Sequence, residues 1–447
     1  MPSHRGWEAV LGATTDLIYT QEFSMLLGRA QRAPIIRREL DDTYIPAGHS
    51  ADEVWDALTV IRRSQAFVSP DTKRDGSSVI TGWHTMPESL AYSLRQIAEH
   101  TQRGSLLDTL VDEQSGRRFV TQQYVQEIVT NLSLDGFPTD YETVREALLG
   151  ELPPAGDAQR LALNYHRIMG DMADYTAMPY DVSLLRDLYD RLTEGVVRTP
   201  PLSEQRSPLE PYYVLGSTDP EANGEDGSGG NRMLDCVADI ANDRLTEPAL
   251  HPIMVSMLVN CQFWHYAMFP CCNNLMGCVA SRLYLYRHGY PVFRYIPKMH
   301  LIWSWKTGLE RSPRGYTLEE SHAEDGRASM DWTAYYDTVM QMMLDHIYRM
   351  EDALGTRKAA NDRAIAGIAN IPNLNQRQIE VLRQAVVDPA SEFRISWHQR
   401  AYEVVYSTAR ADLEKLAELG LLSRAMSGST YVYRPVPGLA GRIMGYR

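Results

Sequence analysis

Cysteine is scarce and unevenly placed. Five cysteines occur in 447 residues and none precedes Cys236, which is not the even, closely spaced set that a secreted disulfide framework requires. Long apolar stretches are missing too. There is no run of eighteen apolar residues, and the first twenty-eight positions carry Arg5, Glu8 and Asp16 in place of a basic, apolar leader, so neither a membrane span nor a signal peptide is expected. The expectation is a cytoplasmic protein with no membrane partner. Basic residues are outnumbered, 44 Lys and Arg against 57 Asp and Glu, which argues against a surface that coats nucleic acid. The hydrophobic fraction, 44%, is enough for substantial cores. At about 150 residues per domain the length suggests about three domains.

Chemistry is concentrated between Leu250 and Pro291. Val255, Leu258, Val259 and Phe263 recur at helical spacing and predict a helix with one apolar stripe. Val279, Leu283 and Tyr286 do the same over Asn274 to His288, and Gly289 followed by Pro291 supplies a stop. Between them, Ala267 to Asn273 form a loop delivered to the start of the second helix. Such a helix end offers unpaired N–H groups and partial positive charge, which suits anions.

This stretch resembles the loop of the Fic (Fido) family, a histidine, proline, phenylalanine, acidic residue, Gly-Asn-Gly and two arginines set between two helices. Gln262-Phe263 and Gly289-Tyr290-Pro291 match the flanks and fix the alignment. The family's histidine then falls on Ala267, its proline on Met268, its phenylalanine on Phe269 and its acidic residue on Cys271. The Gly-Asn-Gly run falls on Cys272, Asn273 and Asn274, and the arginines on Leu275 and Cys278. Phe269 and Asn273 alone match. The resemblance implies a mainly α, Fic-type helical core. It also implies that the general base and the magnesium-holding carboxylate of AMP transfer have no occupants, since alanine accepts no proton and a thiol suits a hard cation poorly. A leucine removes a phosphate clamp as well. A general base contributes roughly 10²- to 10⁴-fold in rate, so AMP transfer from ATP is not expected, nor are magnesium and ATP as cofactors.

Thr130 to Met169 resembles the family's inhibitory helix and the helices after it. Its serine position falls on Asn131, its glutamate on Asp135, and Gly136 follows. With Leu275 and Cys278 in the arginine positions, Asp135 is expected to lack the motif arginine that such a glutamate pairs with. Asp331-Trp332-Thr333 resembles the segment that begins the family's closing helices.

Four cysteines lie within eighteen residues, and Cys261 and His265 share a helix face at i, i+4. Cys261, His265, Cys271 and Cys272 can therefore be read as metal ligands, or as small buried groups in a helical core, since the spacing is not C-x-x-C. Cys271 precedes a helix N-terminus, an environment that lowers a thiol pKa, and is a candidate nucleophile or simply core. His265 stands two residues before the vacant base position, a rotation of roughly 200° on a helix, which points it away from the pocket. Phe269, Asn273 and Asn274 are the candidate ligand-binding residues, with Asn273 placed to orient a phosphate or amide.

From Leu374 onward the pattern is helix, helix, helix, hairpin: Asn375 to Val387, Trp397 to Val404, a helix from Ser407 to Gly420 with Ser407-Thr408 as its cap, then strands around Ser427-Gly428. This is the winged-helix pattern. Ten Lys or Arg stand against seven Asp or Glu from Asn373 on. Arg410 and Lys415 are the DNA-binding candidates, while Asp412, Glu414 and Glu418 on the same helix would repel phosphates. The expected layout is an N-terminal helical region over 1–125, the Fic-like core over 126–350, a linker over 351–372 and the winged helix over 373–447. The Gly- and acid-rich segment Gly216 to Asn231 reads as a surface insertion or as a lid. The aromatic and Met-rich stretch from Phe293 through Tyr295, Met299, Trp303 and Trp305 reads as a reshaped pocket or as core. Three functions fit: a non-catalytic binding or regulatory module, an enzyme with rebuilt chemistry on a small molecule, or a DNA-binding regulator with a sensor core. The partner is then a small molecule, a protein, a second copy of the chain, or DNA.

Overall fold

The computed structural model describes residues 7–72, 78–115, 122–149, 154–210, 228–244, 250–324, 330–389, 391–427 and 430–446. The protein is mainly α. Helices α1 (Trp7–Leu17), α2 (Gln21–Arg32) and α3 (Ala51–Ser64) come first, then strands β1 (Phe67–Thr72) and β2 (Ser78–His84). After these come α4 (Glu88–Thr101), α5 (Leu106–Ser115), α6 (Gln122–Leu134), α7 (Tyr141–Leu149), α8 (Asp157–Gly170), α9 (Val182–Leu192) and α10 (Ser228–Ala241). Helices α11 (Pro252–His265), α12 (Asn273–Arg287) and α13 (Lys298–Lys306) follow, with short strands β3 (Ala323–Glu324) and β4 (Met330–Asp331) and the long α14 (Thr333–Gly367). Last are α15 (Gln376–Val387), β5 (Phe393–Arg394), α16 (Ile395–Ala401), α17 (Tyr406–Glu418), β6 (Leu422–Ser427), β7 (Thr430–Pro435) and α18 (Leu439–Met444).

The chain divides into two compact units, one of residues 1–108 and 117–348 and the other of 109–116 and 349–447. In the first, local chemistry explains the helix starts. Ser50 accepts from Glu53 N–H while the Glu53 carboxylate accepts from Ser50 N–H, a reciprocal cap for α3. Pro252 opens α11 where a missing N–H costs nothing, and the His251 ring accepts from Ile253 N–H. Strands β1, β2, β4 and β3 lie in that order, with β2 and β4 parallel and the other pairs antiparallel. The region expected to be helical up to residue 125 therefore contains a hairpin as well, and it is not a separate unit.

Helices α11 and α12 form the centre of this unit. The apolar stripe of α11 reads as a buried helix, and Ile253 to Asn260 are buried without a break; α12, with the same kind of stripe, is buried without a break from Asn273 to Leu285. A helix covered on every side needs no polar face. Their close approach depends on Gly277, where an added Cβ would lie 2.7 Å from Asn260 Nδ2 and 2.9 Å from Phe263 Cβ. Phe293, Tyr295, Met299 and Trp305 are buried, so most of the aromatic stretch is core.

In the second unit the expected order of three helices and a hairpin is present, and the short β5 completes a sheet ordered β5-β7-β6. Its core gathers Val381 and Leu382 of α15, Leu413 and Leu416 of α17, and Tyr433 of β7. Three details differ from expectation. Helix α17 begins at Tyr406 after Val405, which makes no side-chain cap, so Ser407 is inside the helix. Asp412 is buried and accepts from Asn375, Arg377 and His398, so it faces the core and no phosphate. Residues 351–372, expected to be a linker, are helical through Gly367 and continue in a short 3-10 turn, Ile368–Asn370. Gly216 to Gly227 of the acidic segment lie outside the described residues, and Ser228 to Asn231 open α10. No helix among the described residues is long and apolar enough to cross a membrane.

Replacing Gly277 by valine forces α11 and α12 apart. The expected result is a lower urea midpoint at unchanged m-value, a loss of about 1–3 kcal/mol.

Candidate functional site

The site is built where the end of α6 meets the start of α12. Asp135 immediately follows α6, and Gly136 then turns the chain at φ +81°, a conformation glycine adopts without strain. A side chain there would also strike Pro200, whose Cβ lies 2.8 Å from the position of an added Cβ. From this corner the Asp135 carboxylate reaches the first turn of α12. Asn274 N–H donates to Oδ1 at 2.8 Å, the Asn274 side-chain amide donates to Oδ1 at 2.9 Å, and Leu275 N–H donates to Oδ2 at 3.0 Å. Cys272, at the cap position itself, makes no side-chain cap and holds φ +63°. The helix is thus capped by a carboxylate from another helix. Each charge-assisted bond is worth about 1.5–3 kcal/mol, but Asp135 is fully buried. Burial prevails and pushes its pKa up to about 6, against the opposing pull of the Leu275 and Asn274 amides.

Leu275 and Cys278 offer Asp135 no guanidinium, and the backbone of α12 holds its carboxylate. The anion position of that helix end is filled from within the chain.

The loop before α12 is folded around Asn273. Its side-chain carbonyl accepts from Phe269 N–H at 3.0 Å, and its amide donates to Phe269 O at 2.9 Å and to Gln205 Oε1 at 3.2 Å. Gln205 in turn donates to the carbonyls of Pro200 and Pro270. Asn273 is fully buried, so the residue expected to orient a ligand organises the loop. Asn274 also donates to Arg206 O at 3.0 Å. The Phe269 ring stacks on Tyr189 at 4.1 Å and 6°.

Cys271 and Cys272 are buried with their sulfurs 3.6 Å apart. A hydrogen bond from Cys272, helped by the Tyr189 hydroxyl, lowers the Cys271 thiol to about 7, and the Cys272 thiol is raised in consequence. The expected cause was the helix N-terminus. Its amides are given to Asp135 instead, whose negative charge raises both thiols. Cys278, one turn into α12, donates to Asn131 Oδ1 at 3.4 Å, and burial raises its thiol pKa. Beyond it Arg282 pairs with Glu127 at 2.6 Å, both buried. The other Glu127 oxygen accepts from His300 N–H at 2.8 Å.

The structure therefore gathers Asn131, Asp135, Gly136, Phe269, Cys271, Cys272, Asn273 and Asn274 at one corner. His265 ends α11, its ring edge-on to Tyr266 at 4.5 Å, and Cys261 lies a turn earlier with burial raising its thiol to about 12. Among the described residues no three or more His, Cys, Asp or Glu side chains are placed to hold a metal ion. In the second unit Arg410 pairs with Glu414 at 2.9 Å, and Lys415 donates to the Asn373 carbonyl.

No protein-family model and no curated protein matches the chain. Among solved structures it is similar to a Fic family protein from Desulfovibrio desulfuricans G20, at 15% identity and a TM-score of 0.42, covering 79% of this chain and 97% of that one.

Four residues of the site escaped the sequence reading: Tyr189, Gln205, Glu127 and Arg282. Glu127 had a signal, since Glu127, Asn131 and Asp135 fall at i, i+4 and i+8 on one face of α6. Gln205 had none, because its partners in the loop before α12 lie 65 and 68 positions away.

Asp135→Ala leaves three buried donors unpaired and is expected to destabilise the protein by about 2–4 kcal/mol. The pH dependence has a definite sign. The folded pKa, about 6, lies above the ordinary 3.8, so the carboxyl favours folding most below pH 4, and this contribution is lost as pH rises through 6. Between pH 4 and 7, wild-type stability measured against Asp135→Asn should fall by up to about 3 kcal/mol. Urea melts at stepped pH values check this, and a flat difference would mean an unshifted carboxyl.

Proposed function

We propose that this is a Fic-type protein that does not transfer AMP from ATP and acts as a binding or regulatory module. One observation carries the reading: the Asp135 carboxylate sits on the α12 amides, the helix end that is suited to an anion. A nucleotide phosphate entering there would meet a buried negative charge. Ala267 offers no proton acceptor, and Cys271 replaces the carboxylate that would hold magnesium. Recognition then rests on surfaces other than the phosphate position, and the C-terminal unit is read as a winged helix that makes protein contacts. Arg410 and Lys415 are engaged by Glu414 and by a backbone carbonyl, which favours protein contact over DNA reading.

Thermal melts with ATP, with and without Mg²⁺, and incubation with ATP labelled on its α-phosphate test this. The expected result is no Mg²⁺-dependent stabilisation and no labelled adenylate on the protein or on added extract. Label that appears, and that disappears on Asn273→Ala, overturns the reading.

A second reading, an enzyme with rebuilt chemistry, is favoured by Cys271 alone, whose thiol is held near 7 by Cys272 and Tyr189. Iodoacetamide should then modify Cys271 ahead of Cys272 and Cys278, with a rate half-maximal near pH 7, as mapped by peptide mass spectrometry. Modification that follows an ordinary thiol titration removes this reading.

A further inference from the structure

We propose that Cys271 and Cys272 form a modification site, a dithiol that hydrogen peroxide converts into a disulfide between neighbouring residues at the start of α12. The proposal rests on no step of AMP transfer. It shares Cys271 with the second reading above, but it asks for no substrate beyond the peroxide.

The two sulfurs are already in contact at 3.6 Å, with Cys272 donating to Cys271. The Tyr189 hydroxyl lies 3.6 Å from the Cys271 sulfur as well. The bond from Cys272 and, after it, the Tyr189 hydroxyl lower the Cys271 thiol to about 7 against the effect of burial, while the Cys272 thiol is raised and keeps its proton. A peroxide-reactive pair needs these two roles, an attacking thiolate beside a thiol that resolves. Cys271 is 3% exposed, yet Pro270 beside it is exposed and Tyr189 is half-buried. The chain thus meets the surface one residue away, and a molecule as small as hydrogen peroxide suits so thin a cover. Cys278 donates to Asn131 and Glu127, and burial raises the Cys261 thiol to about 12, so neither competes as the nucleophile.

The Cys271 thiolate attacks one peroxide oxygen, the O–O bond breaks, and hydroxide leaves behind a sulfenic acid. The Cys272 sulfur then attacks the Cys271 sulfur, the S–O bond breaks, and the hydroxyl departs as water with the Cys272 proton. Two thiols lose two electrons, and with the proton that Cys271 gave up the peroxide ends as two waters. Such a bond is no staple. Neighbours close a loop too short to restrain the unfolded chain appreciably, and their Cα atoms, at most about 3.8 Å apart, fall short of the roughly 4.4–6.8 Å of ordinary disulfides. A strained disulfide is readily reduced, so the modification is reversible. Closure removes the hydrogen bond that Cys271 accepts from Cys272, beside the ring of Tyr189 that stacks on Phe269.

Full-length protein treated with hydrogen peroxide, blocked with iodoacetamide under denaturing conditions and cut with chymotrypsin tests this by mass spectrometry. Tyr266 and Leu275 flank the pair, so one peptide holds Cys271 and Cys272 without Cys261 or Cys278. The expected peptide is unalkylated and lighter by two hydrogens, and dithiothreitol restores both alkylation sites. Cys272→Ser should stop at a sulfenic acid on Cys271 that dimedone captures, and Cys271→Ser should leave Cys272 open to alkylation. A wild-type peptide that stays fully alkylated, that gains oxygen instead of losing hydrogen, or that is joined to another cysteine overturns the proposal. The wild-type masses decide it even where a variant does not fold. Native iodoacetamide labelling judges the second reading and this peptide judges the disulfide, so either can fail alone.

Discussion

The centre of this fold is fastened by a carboxylate that caps a helix other than its own. Asp135 ends the α6 segment, and its partners begin α12, 139 and 140 positions later. Three N–H groups that would otherwise point into a dry interior converge on two oxygens, so the start of α12 cannot move without the end of α6. A second clasp lies further along the same pair of helices, where Arg282 meets Glu127. Both clasps are buried, and each ion loses several kcal/mol of solvation on burial. Their value lies in orientation more than in net stability, because they fix the start of α12, where Asn273 holds the preceding loop.

That arrangement also decides which group at the corner is polarised by what. Three acids crowd one helix end, and only one obtains its amides. Asp135 takes them, and its own pKa still rises because burial outweighs three hydrogen bonds. Cys271 relies on a neighbouring thiol and a tyrosine hydroxyl. The polarity of the site therefore comes from side chains that answer one another, with the helix end already neutralised.

Much of this was legible in the sequence where interactions are local. The period of three to four placed α11 and α12, Gly289 marked an end, and the resemblances of two separate stretches pointed to Asn131 and Asp135 on one and Asn273 on the other. What escaped was long-range or two-faced. Gln205 and Tyr189 meet the loop across 68 and 82 positions, and no local pattern announces that. The unbroken burial of Asn273 to Leu285 arises because neighbours cover every side, which apolar spacing alone does not reveal. The later part of α14 reads as a linker because its apolar residues are few and scattered among polar and small ones, which leaves little trace in a hydrophobic pattern. Asp412 reads as a surface charge and is instead the hub of a buried network, since a carboxylate's partners depend on what packs opposite it.

The burial of α12 has a consequence for what sequence change can reach. Leu275 is 0% exposed and Cys278 is 1% exposed, and each sits among side chains already in contact. A guanidinium brought to either position would have to open space between helices held together at Gly277, and Asp135 would still own the amides beside it. Each such step is unfavourable until several neighbours have changed together. A cationic clamp at this corner is thus blocked by packing: a guanidinium at Leu275 or Cys278 is not a small move, and the present chemistry is protected by packing as firmly as by any contact it makes.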